Sequence, residues 1–196
     1  MEQRTLIGGA TLNFFGKSND RTNLSQKYLR STEKINDIDK SMRDNLSMAR
    51  SYLSNSRSSL DEARSQLEKF NYDKAVREAQ ESIEFAIKAI FYSFDVEPLK
   101  EHRFSEKDFQ MMFQKVPEAA RDDLENLNIY KTYLYSLFWE NFYTVAKYGL
   151  EVLKVGAGNL MEKEEAELAI KHASFCNIRA HVVVNVHAPK VFGLTS

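Results

Sequence analysis

Cysteine is almost absent from this sequence of 196 residues, since Cys176 is the single example. One cysteine cannot form an intramolecular disulfide framework, and it cannot supply a cysteine-rich zinc site by itself. We therefore expect a protein of a reducing, cytoplasmic compartment.

Glycine and proline are also scarce, with 7 and 3 examples over the whole length. A fold of many short strands needs more turn residues than this, whereas long helices need few. Apolar residues make up 43% and charged residues 28% of the chain, which are ordinary values for a globular domain. The composition thus predicts long helices around one core.

The sequence lacks an excess of either charge, because 27 Lys and Arg are balanced by 28 Asp and Glu. No global positive field draws the protein to nucleic acid or to anionic membranes, although local patches are not excluded. There is no run of eighteen apolar residues and no signal-peptide pattern. We therefore expect a soluble protein without a membrane partner.

What the sequence does contain is a helical rhythm of apolar and small residues over 46–94. Steps of three and four residues place them on one face of two successive helices. The tetrad Phe70-Asn71-Tyr72-Asp73 interrupts the rhythm with two turn-prone residues, so the helices are predicted to fold back on each other. The predicted inward residues include Leu46, Ala49, Leu53, Ser56, Leu60, Ala63 and Leu67, then Ala75, Val76, Ala79, Ile83, Ala86, Ile87, Ile90 and Phe91.

Further helices are predicted after a break at Pro98. Ser105 resembles an N-terminal cap with Asp108 three residues later, and Pro117 stands at the start of another helix. Apolar spacing predicts a third long helix over 124–145. These helices make an antiparallel pattern of bundle type.

A fourth long helix is predicted with Asn159 as its cap, because Glu162 follows three residues later. Its inward face is small and allows close packing of backbones. That face consists of Leu160, Ala166, Ala169, Ile170, Ala173, Cys176 and Ala180. Beyond residue 180, β-branched valines leave three outcomes open: continued helix, which we favour, fraying, or a strand paired with 11–15.

The predicted fold class is therefore an all-α antiparallel bundle of four to five helices over 43–180. An N-terminal arm over 1–42 is partly ordered or forms a short hairpin, and a C-terminal tail covers 181–196. Sparse apolar residues over 24–38 could also extend the first long helix backwards. Alternatively, Leu12, Phe14 and Phe15 form a docking segment for a partner.

No metal or cofactor site is predicted. A di-metal bundle needs Glu-x-x-His pairs, and neither His172 nor His181 has a Glu three residues earlier. The segment Gly156-Ala157-Gly158 follows a helix and is too short for a phosphate-binding loop.

The order of several segments resembles the HEPN domain family, particularly its prokaryotic members. The segments are 63–75, 79–91, a loop with His102, Tyr148-Gly149 and the helix that contains 163–166. The block 80–90 is the most specific part, and the resemblance covers roughly 46–178. It implies a helical bundle that is usually dimeric and often encoded beside a minimal nucleotidyltransferase. Roles in RNA cleavage, toxin-antitoxin pairs or nucleotide binding are also implied.

Catalytic members of that family carry an Arg, four to six residues and then a His on a late helix, as a metal-free ribonuclease pair. Here Arg179 and His181 are too close, about 200° apart at roughly 100° per residue. From Arg179 to His187 there is one residue too many. His172 and Arg179 lie seven residues apart in reversed order and share one helix face, so they are the catalytic candidates.

Two pairs are candidates for ligand binding. His102 with Arg103 could meet a phosphate or base, or His102 could cap a helix end. Lys147 with Tyr148 stands where the family has an Arg-Tyr or similar pair, and Tyr148 could stack on a nucleobase or cover the core edge.

Because the motif is degenerate, we expect a non-catalytic, homodimeric protein that associates with a nucleotide, RNA or a nucleotidyltransferase. One alternative is a dimeric, metal-independent RNase toxin of a toxin-antitoxin pair. The other is a scaffold that recruits proteins.

Overall fold

The computed structural model describes residues 19–96, 98 and 104–191. The α-helices of this described part are α1 Asn19–Glu68, α2 Tyr72–Tyr92, α3 Glu106–Lys115, α4 Glu118–Asn126, α5 Tyr130–Tyr148, α6 Lys163–Val182 and α7 Ala188–Val191. Short 3-10 helices, Glu151–Leu153 and Ala157–Asn159, lie between α5 and α6. Within these residues no strand forms, apart from an isolated bridge between Leu150 and Val155. The predicted all-α fold is confirmed.

The chain divides into two compact units, Met1–Lys40 and Ser41–Ser196. In the first unit, the described residues 19–40 are helical and belong to α1. The apolar set over 24–38 thus extends the first helix backwards. Leu12, Phe14 and Phe15 lie outside the described residues. All packing described below belongs to the second unit.

The reversal between α1 and α2 occurs where the tetrad at 70–73 predicts it. Phe70 has a left-handed backbone with φ of 59°. The N–H of Asn71 then donates to the carbonyl of Gln66 at 2.9 Å, and the N–H of Phe70 donates to Leu67. This pattern closes the last carbonyls of α1 as in a Schellman motif, with Phe70 in the position that glycine usually takes.

Helix α2 is the most buried of the helices, and it packs against α6 and α5. Small residues on both α2 and α6 allow this close approach. Most of the inward face predicted for α6 is found, because Ala166, Ala169, Ala173, Cys176 and Ala180 are all fully buried. Ile170 is only half-buried, and Leu160 lies before the helix begins. At the same contact region, Ser56 and Ser82 exchange hydrogen bonds between α1 and α2, and Asn177 of α6 donates to Ser56 at 3.0 Å.

Two predicted boundaries are wrong. The third long helix begins at Tyr130 and not at Leu124, because Asn128 takes a left-handed backbone with φ of 54° and ends α4. An Asn tolerates this conformation better than most residues. Helix α6 is capped by Glu162 and not by Asn159, which lies in a 3-10 helix, and the Glu165 carboxylate accepts the Glu162 N–H at 2.9 Å.

The helix continues beyond residue 180, as favoured over a strand, but through a π-helical turn Val183–His187 into α7. Pro189 explains the turn, because proline has no N–H and its ring clashes with the carbonyl four residues earlier. The N–H of Ala188 bonds instead to the carbonyl of Val183, five residues back. Val183, Val184 and His187 are buried.

Candidate functional site

The predicted residues His172 and Arg179 lie where α6 faces the α4–α5 segment, a contact that we call the α6 seam. Its side chains are Asp123, Tyr135, Trp139, His172, Phe175, Arg179 and His187. Arg179 contacts Leu127, the residue that ends α4 just before α5, whereas His172 contacts the middle of α5 through Trp139. Helix α6 therefore runs antiparallel to α5 along the seam.

His172 is held by two aromatic residues of α5. Its ring stacks on Tyr135 with centroids 3.8 Å apart and an angle of 7° between the planes. The indole N–H of Trp139, a residue only 1% exposed, donates to His172 Nδ1 at 3.0 Å. Nδ1 must therefore be the acceptor nitrogen, which leaves the proton on Nε2. Burial, and secondly the charge of Lys171, lower the pKa of His172.

Arg179 continues the same row of stacked groups. Its guanidinium carbon lies 3.8 Å from the centre of the Phe175 ring, and that ring meets Tyr135 edge-on at 5.3 Å. Arg179 Nε donates to the carbonyl of Leu127 at 3.2 Å. A guanidinium has four further N–H donors on its terminal nitrogens, which suit a phosphate or carboxylate.

His187 is a further residue of the site. The sequence pattern excludes it, because the segment between Arg179 and His187 is one residue longer than the Arg-to-His spacing of the family allows. The π-helical turn Val183–His187 lies between them and takes one residue more per hydrogen-bonded turn than an α-helix. His187 therefore occupies about the position of the seventh residue after Arg179, some 20° away around the axis at roughly 100° per residue. Pro189 is the sequence signal for this shift.

Contacts with α4 support that alignment. His187 Nδ1 lies 3.6 Å from a carboxylate oxygen of Asp123, one turn before Leu127, which accepts from Arg179. His187 is only 7% exposed, whereas Asp123 is exposed to solvent. The seam thus brings His172, Arg179 and His187 along one side of α6 and of the π-helical turn that follows it.

Lys147 and Tyr148 lie at the other end of α5. The Lys147 ammonium is 5.2 Å from the centre of the Tyr148 ring and 5.4 Å from that of Tyr143. Hydrogen bonds to the hydroxyls of Tyr148 and Tyr143 raise the pKa of Lys147. Tyr148 is 56% exposed, so it does not cover the core edge. At 1.5 Å per residue this pair is about 27 Å from the end of α5 near Arg179.

The other candidates add no chemistry to the seam. His102 and Arg103 lie outside the described residues. Burial raises the pKa of the Cys176 thiol, and the nearby charge of Arg179 lowers it less, so this cysteine is not a nucleophile at neutral pH.

Among the described residues, His, Cys, Asp and Glu form no group of three that could hold a metal ion. Across the same residues, every helix is too short or too polar to span a membrane.

Comparison with protein families matches residues 49–175 to the HEPN domain. The match covers more than half of the chain and contains Lys147, Tyr148 and His172, whereas Arg179 and His187 follow it. No curated protein and no solved structure matches the chain.

Proposed function

Since this chain belongs to the HEPN domain family, we propose that it binds a nucleotide or RNA without cleaving it. The proposal includes a nucleotidyltransferase as protein partner, which rests on the resemblance alone. Co-purification of a nucleotidyltransferase with the tagged full chain tests this part.

The main support for binding without cleavage is the hydrogen bond from Trp139 to His172. A general base needs a free ring nitrogen, and here Nδ1 already accepts the indole N–H at 3.0 Å while Nε2 carries the proton. A general acid needs the imidazolium, which would place two donors against each other at this contact. His172 is thus suited to donate one hydrogen bond from Nε2, for example to a phosphate or a base.

Lys147 and Tyr148 supply the ligand-binding side of the proposal. Tyr148 exposes a ring on which a base can stack, and Lys147 places an ammonium group 5.2 Å from the centre of that ring. Stacking and charge together are the usual means of binding single-stranded nucleic acid without sequence preference.

Calorimetric titration of the full chain with ATP and with a single-stranded RNA of ten nucleotides tests the proposal. Stacking of one base on an aromatic side chain contributes about 1–3 kcal/mol, so Tyr148→Ala is expected to weaken binding by about fivefold to 150-fold. Lys131→Ala is the control, because it removes an exposed lysine from the opposite end of α5. Absence of binding, or equal loss in both variants, would overturn the proposal in favour of a scaffold.

A homodimer is also part of the proposal. Helix α5 exposes Leu134, Leu137 and Phe138 at 57%, 39% and 45% of their surface. A two-fold interface brings the same patch of both subunits together, so an uncharged patch avoids like-charge repulsion. These three side chains carry no charge, which supports a second copy of this chain as the occupant.

A second candidate function is favoured by the π-helical turn. If Arg179 and His187 act as a ribonuclease pair, the turn supplies the family's Arg-then-His spacing despite the extra residue. RNA cleavage in the presence of EDTA would then disappear in His187→Ala and persist in His172→Ala. The non-catalytic proposal predicts intact RNA with all three proteins.

A further inference from the structure

A groove with a volume of about 620 Å³ opens between α3, α4 and α5 and shares no residue with the α6 seam. Helix α3 lines it with one face. The lining residues Glu106, Phe109, Gln110 and Phe113 follow one another in steps of three, one and three residues, which keeps them on the same side of the helix. Sites for small molecules commonly measure about 300–1,000 Å³, so the groove is large enough for an organic ligand.

Aromatic rings form the apolar part of the groove. Phe113 and Tyr130 are stacked at 4.7 Å with an angle of 16°, and Phe109 meets Tyr133 at 4.7 Å. Such rings attract alkyl chains through dispersion and cations through the negative charge of their faces.

The charge along the groove is mainly negative. Glu106 and Glu125 line it from α3 and α4, and the Tyr130 hydroxyl donates to Glu125 at 3.4 Å. Burial first, and then the charge of Glu125, raise the pKa of Tyr130. Burial also raises the pKa of Tyr133, followed by the charges of Glu106, Asp108 and Glu140. Both tyrosines therefore stay neutral, and their surroundings favour a cation.

Arg121 is the basic residue of the lining and marks one end of it. Its Nε donates to the carbonyl of Val116 at 3.3 Å, in the connection between α3 and α4. Glu106 at the start of α3 is at the other end of that ten-residue helix. The carboxylate of Glu106 is thus separated from Arg121 by the length of α3, about 15 Å at 1.5 Å per residue.

We propose that this groove binds an extended organic cation of the polyamine class. Its ammonium groups pair with Glu106 and Glu125, and its methylene chain lies against the rings of Phe113, Tyr130 and Tyr133. A nucleotide is disfavoured here, because its phosphates would face two carboxylates and only one guanidinium, that of Arg121. The groove is therefore a second site, independent of the one proposed at Lys147 and Tyr148.

The test is a calorimetric titration of the full chain with spermidine at low salt, with 1,8-octanediol as the neutral ligand control. An exposed ion pair contributes up to about 1 kcal/mol, so Glu106→Gln and Glu125→Gln are each expected to weaken binding by up to about fivefold. The double variant is expected to lose most of the binding. Glu118→Gln is the matched control, because it removes the same charge from α4 outside the groove.

Tyr130→Ala and Tyr130→Phe separate the ring from the hydroxyl. The alanine variant is expected to weaken spermidine binding more than the phenylalanine variant, because only alanine removes the ring. Urea unfolding of every variant identifies those that fold as the parent chain does, and affinities are compared among these.

Three results would overturn the proposal: no binding of spermidine, equal binding of octanediol, or an equal loss of affinity in Glu118→Gln and Glu125→Gln. Lys147→Ala is expected to leave spermidine binding unchanged, and the glutamine variants are expected to retain ATP binding. Failure at this groove can thus be distinguished from failure of the proposed nucleotide function.

Discussion

At the scale of single residues, Trp139 determines what His172 can do. The indole N–H occupies Nδ1 at 3.0 Å, and the Tyr135 ring covers one face of the imidazole at 3.8 Å. Burial at this contact, and secondly the charge of Lys171, favour the neutral ring and lower the pKa of His172. The same contacts that remove a general base also make folding stability depend on the protonation of this residue.

His172→Gln is expected to reduce the loss of stability in mild acid. The pKa of His172 is lower in the folded than in the unfolded chain, so between the two values the unfolded chain binds more protons. The stabilisation is fully present above about pH 6.5, the unfolded value, and declines as the pH falls through it. Urea unfolding at pH 7.5 and pH 5.5 measures this, and equal pH dependence in both proteins would contradict the prediction.

Gly149→Ala is expected to destabilise the chain by about 1–3 kcal/mol, because its backbone conformation is almost restricted to glycine. Gly149 has φ of 74° and ψ of −155°, and an added Cβ would clash with the backbone oxygen of Val155. Gly158→Ala is the control, since its Cβ would have no neighbour within 4 Å. Thermal unfolding should separate the two variants; a Gly149→Ala protein as stable as Gly158→Ala would refute this account of the turn.

At the scale of helices, the slim interface between α2 and α6 organises the core. Helix α2 buries alanine at 75, 79, 86 and 89, α6 buries a similarly small set, and the two helices pack against each other. This part of the fold can be predicted from the sequence. The spacing of the small residues identifies the helix face that packs, and their size sets how closely the two helices approach. The Ser105 cap is likewise predicted and found, with its hydroxyl accepting the Asp108 N–H at 3.2 Å.

Other helix boundaries could not be predicted, because they depend on single backbone conformations. Apolar spacing continues from Leu124 to Val145 without a gap, and only the left-handed backbone of Asn128 separates α4 from α5. The π-helical turn before Pro189 shifts the register of His187 in the same way. An argument from residue spacing assumes an ideal α-helix, so it detects neither the break at Asn128 nor the π-helical turn.

Ala173→Leu is expected to cost about 1–3 kcal/mol of stability, because extra methylene groups in a closely packed contact force the backbones apart. Ala173 is fully buried on α6. Lys171→Leu introduces the same side chain on the exposed side of that helix and is expected to change stability by less than about 0.5 kcal/mol. Equal unfolding midpoints in urea for the two variants would contradict the prediction, because they would show that the interface accommodates a leucine side chain.

At the scale of the whole molecule, α5 contributes side chains both to the core and to the outer surface. Thr132, Trp139 and Ala146 face the core, while Leu134, Leu137 and Phe138 face outward. The apolar spacing over 124–145 includes Leu134, Leu137 and Phe138 in its core-like stripe, but the structure exposes all three. The spacing could not reveal the outward set, because periodicity does not tell a core from a subunit interface.

Leu134→Glu is expected to convert a dimer into a monomer. Leu134 is the most exposed of the three outward side chains, and a carboxylate there would face its own copy across a two-fold interface. Sedimentation velocity at micromolar concentration gives the oligomeric state. Lys74→Glu, at an exposed position of α2, is the control for added negative charge. A parent chain that sediments as a monomer would rule out this interface.

The most direct test of the central proposal is to incubate the metal-free full chain with labelled RNA, then determine binding and RNA length in one sample. We predict a bound complex whose RNA runs at full length on a denaturing gel. Shortened RNA that is absent with His187→Ala would contradict the proposal and establish the ribonuclease instead.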